Sequence, residues 1–171
     1  MNVMKNIRIE KLTLNVGCGK DQTRLDKAVK LLKNITGIDP IKTVTKKRIP
    51  EWGLRPGLPI GCKITLRKES AKELITRLLK AKENHLKESC FNESGTISFG
   101  IEEYIDIPDV KYDPEIGIIG LEASLTLERP GFRIKKRRTS KKKIPKKHNI
   151  TQEDAINFMK KEFNIKVGEE E

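Results

Sequence analysis

Residues 12–37 read LTLNVGCGKDQTRLDKAVKLLKNITG, and this stretch decides the fold. Its first part alternates apolar and polar residues, with Leu14 and Val16 on one side, which predicts a β-strand with one buried face. Asp21 then suits the N-cap of a helix whose apolar residues recur at helical spacing, and Gly37 suits its end. The pattern therefore predicts a strand followed by a helix that packs on the sheet.

Similar patterns recur along the rest of the chain. Ile7 and Ile9 extend the first strand across a phase break at Glu10–Lys11, as in a strand with a bulge. Further strands are predicted near residues 41–45, 60–66, 97–101 and 121–127, and further helices near residues 70–84 and 151–163. The N-terminal signals of these two helices are a capping box at Ser70–Glu73 and a cap at Thr151 with Asp154.

The resulting order β-α-β-β-α-β-β-α favours an α+β fold. In such a fold a mostly antiparallel sheet of about five strands has helices packed on one face, and the other face is free to bind. The length of 171 residues suits a single domain over residues 1–171, with basic loops at 46–59 and 129–147.

Charge is distributed unevenly along this basic chain, whose formal net charge is +12. Residues 92–128 hold nine acidic residues and one basic residue, whereas residues 129–147 hold eleven basic residues and no acidic one. A block of like charge repels itself and is normally kept for a partner of opposite charge. The phosphate backbone of a nucleic acid is therefore the expected partner.

The sequence gives no sign of catalysis, a cofactor or a metal. Gly17-Cys18-Gly19-Lys20 follows a strand but matches neither of two known phosphate-binding loops. The Walker A pattern needs Ser or Thr where residue 21 is Asp, and the dinucleotide-binding pattern needs Gly where residue 22 is Gln. The cysteines, the two histidines and the acidic residues show no ligand or catalytic spacing, and isolated cysteines suit a reducing cytosol. No apolar run is long enough to span a membrane and no signal peptide is present, so we expect a soluble intracellular protein.

One candidate RNA-binding surface is the outward side of the first and third predicted strands. Its residues are hydrogen-bonding or basic, with no acid among them: Thr13, Asn15, Lys63, Thr65 and Arg67. Such a surface suits contact with sugar and phosphate groups, although a solvated sheet face would look much the same.

A second candidate is the loop at residues 46–59, which is long for a hairpin connection. It contains Trp52, the only tryptophan of the chain, and four cations: Lys46, Lys47, Arg48 and Arg55. RNA-binding loops combine aromatic faces with cations in this way. The prediction is that Trp52 faces RNA at the base of the loop; the alternative is that its side chain plugs the domain.

The third candidate is the run at residues 129–147, which cannot pack in a core. Its predicted phosphate-binding residues are Arg133, Lys135, Lys136, Arg137, Arg138, Lys141, Lys142 and Lys143. Self-repulsion and the lack of apolar periodicity predict poor order in the free protein. A nuclear-localisation-like stretch or a linker is the alternative.

Six segments in order along the chain resemble the archaeal and eukaryal form of large-subunit ribosomal protein five, the 5S-rRNA-binding family. They are LNVG at 14–17, ITGIDP at 35–40, PIGCKITLR at 59–67, FNESG at 91–95, FGIEE at 99–103 and KYDPEIGI at 111–118. In this resemblance the family's 5S-contacting asparagine, aromatic residue and threonine fall on Asn15, Trp52 and Thr65. Bacterial relatives carry Phe at the position of Trp52 and Gln at the position of Ile38.

The resemblance implies a non-catalytic cytoplasmic protein that anchors 5S rRNA in the central protuberance of the large subunit. It also implies contacts with 23S rRNA, with P-site tRNA through the long loop, with small-subunit ribosomal protein thirteen across an intersubunit bridge, and with neighbouring large-subunit proteins. From the residues alone, an RNA-modifying or RNA-processing enzyme with the same basic surfaces stays open as the alternative.

Overall fold

A computed structural model describes residues 2–168 of the chain. The strands are β1 (Arg8–Gly17), β2 (Ile41–Val44), β3 (Pro59–Leu66), β4 (His85–Leu86), β5 (Thr96–Ile101), β6 (Leu121–Glu128) and β7 (Lys166–Val167). The α-helices are α1 (Gln22–Thr36), α2 (Lys68–Lys80), α3 (Arg133–Lys136) and α4 (Gln152–Phe163).

Five strands form one antiparallel sheet in the order β2-β3-β1-β6-β5, so the predicted α+β fold is confirmed. The edge strand β2 pairs with β3 from Ile41 opposite Lys63, and the register shifts between Thr43 and Val44. A separate parallel pair joins β4 to β7. This pair was not predicted, because two-residue strands show no alternation.

Helix α1 has the boundaries that its sequence predicts. The Asp21 carboxylate accepts hydrogen bonds from the backbone N–H groups of Thr23 and Arg24, and the bond from the Thr23 hydroxyl is the main reason that the pKa of this carboxyl is lowered. Gly37 ends the helix in the left-handed conformation, with a φ of 72°. The buried side of the helix is formed by Leu25, Ala28, Leu31, Leu32 and Ile35.

Helix α2 begins earlier than predicted, and the capping box at Ser70 is wrong. The N-cap is Arg67, whose side chain makes no capping hydrogen bond, and Ser70 lies inside the first turn. Lys68 turns the chain directly from β3 into the helix with a φ of 57°, which leaves no non-helical position for Ser70. The helix ends at Lys80 with Ala81 as its C-cap, not near residue 84, and Glu83 and Asn84 beyond it have positive φ values.

The cap of α4 is confirmed as a complete capping box. The Thr151 hydroxyl accepts a hydrogen bond from the Asp154 N–H, and the Asp154 carboxylate accepts one from the Thr151 N–H. Such reciprocal bonds satisfy two N–H groups that the first helical turn otherwise leaves unpaired.

The chain forms two compact units, each built from segments that are distant in sequence. One contains residues up to 12, 67–99 and from 124 onward; the other contains residues 13–66 and 100–123. In the second unit, Gly61 is required where β3 lies beside β1, because a Cβ there would lie 2.7 Å from the carbonyl oxygen of Val16. The assignment of residues 1–171 to a single domain stays a prediction.

Candidate nucleic-acid interface

The predicted outward residues of β1 and β3 lie in the unit formed by residues 13–66 and 100–123, except Arg67. Ile64 and Leu66 are buried, while Lys63 and Thr65 between and beside them are exposed, as the alternation predicts. Thr65 uses its side chain for no hydrogen bond with any residue that the structure describes. Its hydroxyl is therefore free to donate to or accept from a ligand.

Asn15 differs from Thr65 because its side chain already has a partner. The residue is half-buried, and its amide Nδ2 donates to the Glu122 carboxylate of the neighbouring strand β6 across 3.2 Å. The face predicted from β1 and β3 contained no acidic residue, but the neighbouring strand β6 adds the exposed carboxylate of Glu122 beside Asn15. The bond to Glu122 leaves the amide oxygen of Asn15 available to accept, for example from a ribose hydroxyl.

A groove of about 520 Å³ opens next to Asn15 and Glu122. Glycines form part of its wall at Gly17, Gly100 and Gly120. A Cβ at residue 120 would lie 2.8 Å from the carbonyl oxygen of Glu102, so a side chain is excluded there. The missing side chains allow another molecule to approach the strand backbone closely.

Trp52 is held in an ordered turn and exposes 66% of its surface. It is the last residue of a short 3-10 turn, Pro50–Trp52, and Gly53 follows with a φ of 66°. Ile49 and Leu54 exchange backbone hydrogen bonds of 3.1 and 3.0 Å across this turn. Trp52 therefore lies at the tip of the loop, and its predicted place at the base is wrong.

The same geometry removes the alternative in which Trp52 plugs the domain. Leu54 is the buried residue of this loop, with 7% of its surface exposed. The base of the loop is closed by the Thr45 N–H, which donates to the carbonyl of Leu58 over 2.9 Å. The loop cations are all exposed and form no ion pair within residues 2–168: Lys46, Lys47, Arg48 and Arg55.

In the other unit, one lysine within the basic run is paired with carboxylates. Lys136 Nζ lies 2.6 Å from a Glu10 carboxylate oxygen and 2.9 Å from one of Glu128. Arg8 pairs with Glu128 over 2.8 Å, and Arg67 donates to the backbone carbonyl of Glu10 over 3.2 Å. Arg8, Glu10, Glu128 and Lys136 therefore form one ion-pair cluster.

The two carboxylates of this ion-pair cluster are largely buried, with 10% and 15% of the Glu10 and Glu128 side chains exposed. Burial alone would raise the pKa of Glu128, but the hydrogen bonds from Lys136 and Arg8 outweigh it and hold the pKa below its usual value. Burial lowers the pKa of Lys136, and the two carboxylates more than reverse that effect. The charge of Lys136 is therefore already balanced by these two acids, and Arg67 lies next to one of them.

The first residue of the basic run is buried, which corrects the expectation that none of it could pack in a core. Only 9% of Arg129 is exposed. Its guanidinium donates to the Asp154 carboxylate over 2.8 Å and to the carbonyl of Asn149 over 2.9 Å. Within the run, Arg137 donates to the carbonyl of Ser140.

Most of the other predicted phosphate-binding residues of the run are exposed and carry no ion pair with residues 2–168. They are Arg133, Lys135, Arg138, Lys141, Lys142 and Lys143. Sequence reasoning missed Glu10 and Glu128, which neutralise Lys136. The available signal was the phase break predicted at Glu10–Lys11, which would put Glu10 on the outward side of the strand.

The acidic stretch between β5 and β6 is irregular apart from a 3-10 turn at Tyr104–Asp106. Tyr104 is buried, and its hydroxyl oxygen accepts a hydrogen bond from the Asp113 N–H over 3.0 Å. Lys30 of α1 pairs with Asp113 over 3.0 Å and with Glu115. The hydrogen bonds to these two carboxylates raise the pKa of Lys30. Part of the acidic charge is therefore balanced within the same unit.

None of the three cysteines is fully exposed. Cys18 and Cys62 are buried and Cys90 is half-buried. Burial, with a smaller contribution from Cys18, raises the pKa of Cys62 to about 11, so its thiol stays protonated and weakly nucleophilic. In the same part of the chain, no three His, Cys, Asp or Glu residues are placed to hold a metal ion, and no helix has the length and apolar character needed to cross a membrane.

Comparison with known proteins places this arrangement in a family. Residues 2–55 match the family described as Ribosomal protein L5, and residues 59–158 match the C-terminus of the same ribosomal family. The chain is 46% identical over 168 residues to the large ribosomal subunit protein uL5 of Sulfolobus acidocaldarius, covering 98% of this chain and 94% of the relative. It is 48% identical over 165 residues to the large ribosomal subunit protein uL5 of Nanoarchaeum equitans, covering 96% and 97% of the two chains. The chain therefore belongs to the ribosomal protein L5 family, in its archaeal and eukaryal form.

Proposed function

We propose that this protein binds 5S rRNA as a structural constituent of the large ribosomal subunit, through the open side of β1 and β3 and the loop that carries Trp52. Its membership of the L5 family makes it a ribosomal protein of the cytoplasm and not an enzyme. The 5S proposal is carried by one observation. Trp52 is exposed in a well-defined turn, in the same loop as four cations that form no ion pair with residues 2–168.

The proposed interface combines stacking, hydrogen bonding and positive charge. An exposed indole ring can stack on a base or a ribose, and the turn from Pro50 to Gly53 fixes its position before RNA arrives. The free hydroxyl of Thr65 and the amide oxygen of Asn15 can bond to phosphate or ribose groups. Lys63 lies on the same strand as Thr65 and supplies a positive charge.

The loop cations and the basic run extend the interface to other RNA. Lys46, Lys47, Arg48 and Arg55 would meet phosphates, some of them on P-site tRNA, and the run at 129–147 would meet phosphates of rRNA, including 23S rRNA. Contacts with small-subunit ribosomal protein thirteen and with neighbouring large-subunit proteins belong to the same proposal. They are supported by the family resemblance alone.

The test of the 5S proposal is the affinity of purified 5S rRNA for variants at Trp52. Trp52→Ala should weaken binding by about 1–3 kcal/mol, the usual scale of one lost stacking contact, which is about 5- to 150-fold in Kd. Trp52→Phe keeps an aromatic face and is the matched control, expected to retain most of the affinity. An unchanged Kd for Trp52→Ala at constant salt would contradict the proposal.

Sedimentation separates this function from that of an RNA-modifying or RNA-processing enzyme. A structural constituent should be stoichiometric with the large subunit on a sucrose gradient at every salt concentration at which the subunit stays intact. An enzyme that visits its substrate would be present in far less than one copy per subunit.

A further inference from the structure

The two ends of the basic run are held together by contacts within the protein. Arg129, at its start, donates to the carbonyl of Asn149, just beyond its end, and to Asp154. The ring Nε2 of His148 lies 2.8 Å from the carbonyl oxygen of Pro130, and the same ring packs edge-on against Phe132 with 5.7 Å between ring centroids. The run is therefore a closed loop and not a tail.

Two more contacts fix the interior of this loop. Lys136 is anchored between the buried carboxylates of Glu10 and Glu128. Further along, the backbone N–H of Lys142 donates to the carbonyl of Ile134 over 3.2 Å. These contacts give the loop a defined shape.

Four lysines of this loop surround one concavity of about 390 Å³. Its lining residues are Lys135, Lys141, Lys142, Lys143, Ile144 and Asn149. No acidic residue lines it, and none of the four lysines forms an ion pair with any residue between 2 and 168. The volume falls within the range of about 300–1,000 Å³ that is usual for ligand sites. Four lysines around one concavity give it a positive potential, which attracts an anion.

We infer that this concavity is a preorganised site for adjacent phosphates of a ribose-phosphate backbone in ribosomal RNA, and that Glu10 and Glu128 position it through Lys136. The inference rests on the proposed function, since it takes RNA as the partner. RNA suits the site because a lysine ammonium binds phosphate as a point charge, and four of them match closely spaced charges on one strand. The carboxylates act on the shape of the site and touch no RNA.

The first test compares two double variants of the full chain with the same loss of charge from the same run. Lys141→Gln with Lys143→Gln alters the concavity, whereas Lys146→Gln with Lys147→Gln removes two exposed lysines outside it. We expect the first pair to weaken binding of a short RNA hairpin by about tenfold more than the second, the scale of one or two charge-assisted hydrogen bonds. Equal losses would show that only the total charge matters, and would overturn the inference.

The second test uses Glu128→Gln, which makes the protein more positive by one charge. If the run acted by charge alone, this variant would bind the hairpin more tightly. Positioning through Lys136 predicts weaker binding, by several-fold, and tighter binding would overturn it. The first test stays valid even if Glu128→Gln loses stability, because the lysines that it replaces are exposed.

Inorganic pyrophosphate distinguishes the source of the phosphates. Titrated into the isotope-labelled protein, it should shift the amide signals of the concavity, such as those of Ile144 and Asn149, and the hairpin should displace it at much lower concentration. If pyrophosphate bound as tightly as the hairpin, a free polyphosphate would be the ligand and the RNA assignment would be wrong. Binding of 5S rRNA, measured on the same lysine variants and on Trp52→Ala, separates failure of this inference from failure of the proposed function.

Discussion

Replacing Thr65 by valine removes one hydroxyl from the proposed RNA-binding surface and changes almost nothing else. Thr65 is exposed on β3, and its side chain makes no hydrogen bond with residues 2–168. Valine has the same shape and also favours a strand. The free energy of unfolding should therefore stay within about 0.5 kcal/mol of the wild-type value.

The affinity for 5S rRNA should change far more than the stability. A hydrogen bond to a charged group contributes about 1.5–3 kcal/mol, so losing one to a phosphate would raise the Kd about 10- to 150-fold. Filter binding of 5S rRNA at one fixed salt concentration measures the Kd, and urea unfolding measures the stability. Thr65→Ser keeps the hydroxyl and is the matched control.

Two results would refute this reasoning. An unchanged Kd for Thr65→Val would mean that the hydroxyl meets no RNA. A loss of stability equal to the loss of binding free energy would mean that Thr65 supports the fold and not the interface.

Three further predictions concern the stability of the fold. Gly61→Ala should lower the free energy of unfolding by about 1–3 kcal/mol, because its Cβ would lie 2.7 Å from the Val16 carbonyl oxygen; an unshifted urea midpoint would contradict this. Thr151→Ala should cost about 0.5–2 kcal/mol through loss of the capping box, measured in the same way, with Thr151→Ser expected to retain most of the stability. The pKa of Glu128 lies below its ordinary value of 4.5. The stability that its ionised carboxylate contributes is therefore complete above pH 4.5 and is lost as the pH falls through the lowered pKa. Lys136→Met should flatten this acid-induced loss in thermal melts from pH 6 to about 3, and an unchanged slope would exclude the ion-pair cluster as its source.

The parts of the fold that the sequence predicts are those set by neighbouring residues. Asp21 and Gly37 bound α1 because an N-cap side chain and a left-handed glycine act on their own helix ends. The cap at Ser70 was predicted wrongly because the local sequence does not show where this helix begins. The backbone at Lys68 starts the helix two residues earlier, and a positive φ at a lysine leaves no signature in the sequence.

The candidate site was predictable to the extent that it follows strand alternation and charge. Lys63 and Thr65 have the predicted exposure for that reason. The pairing of Lys136 with Glu10 joins residues far apart in the chain, and only the order of strands in the sheet brings them together. Trp52 lies at the tip of its loop because Ile49 and Leu54 pair across the turn, a bridge too short to leave a repeating pattern.

The most direct test of 5S rRNA binding is footprinting of purified 5S rRNA with and without the full-length protein. The proposed interface predicts a contiguous protected helix or loop that saturates at one protein per RNA, and weaker protection with Trp52→Ala at the same concentration. The absence of any protected nucleotide at every stoichiometry, from a protein shown to be folded, would contradict the proposal.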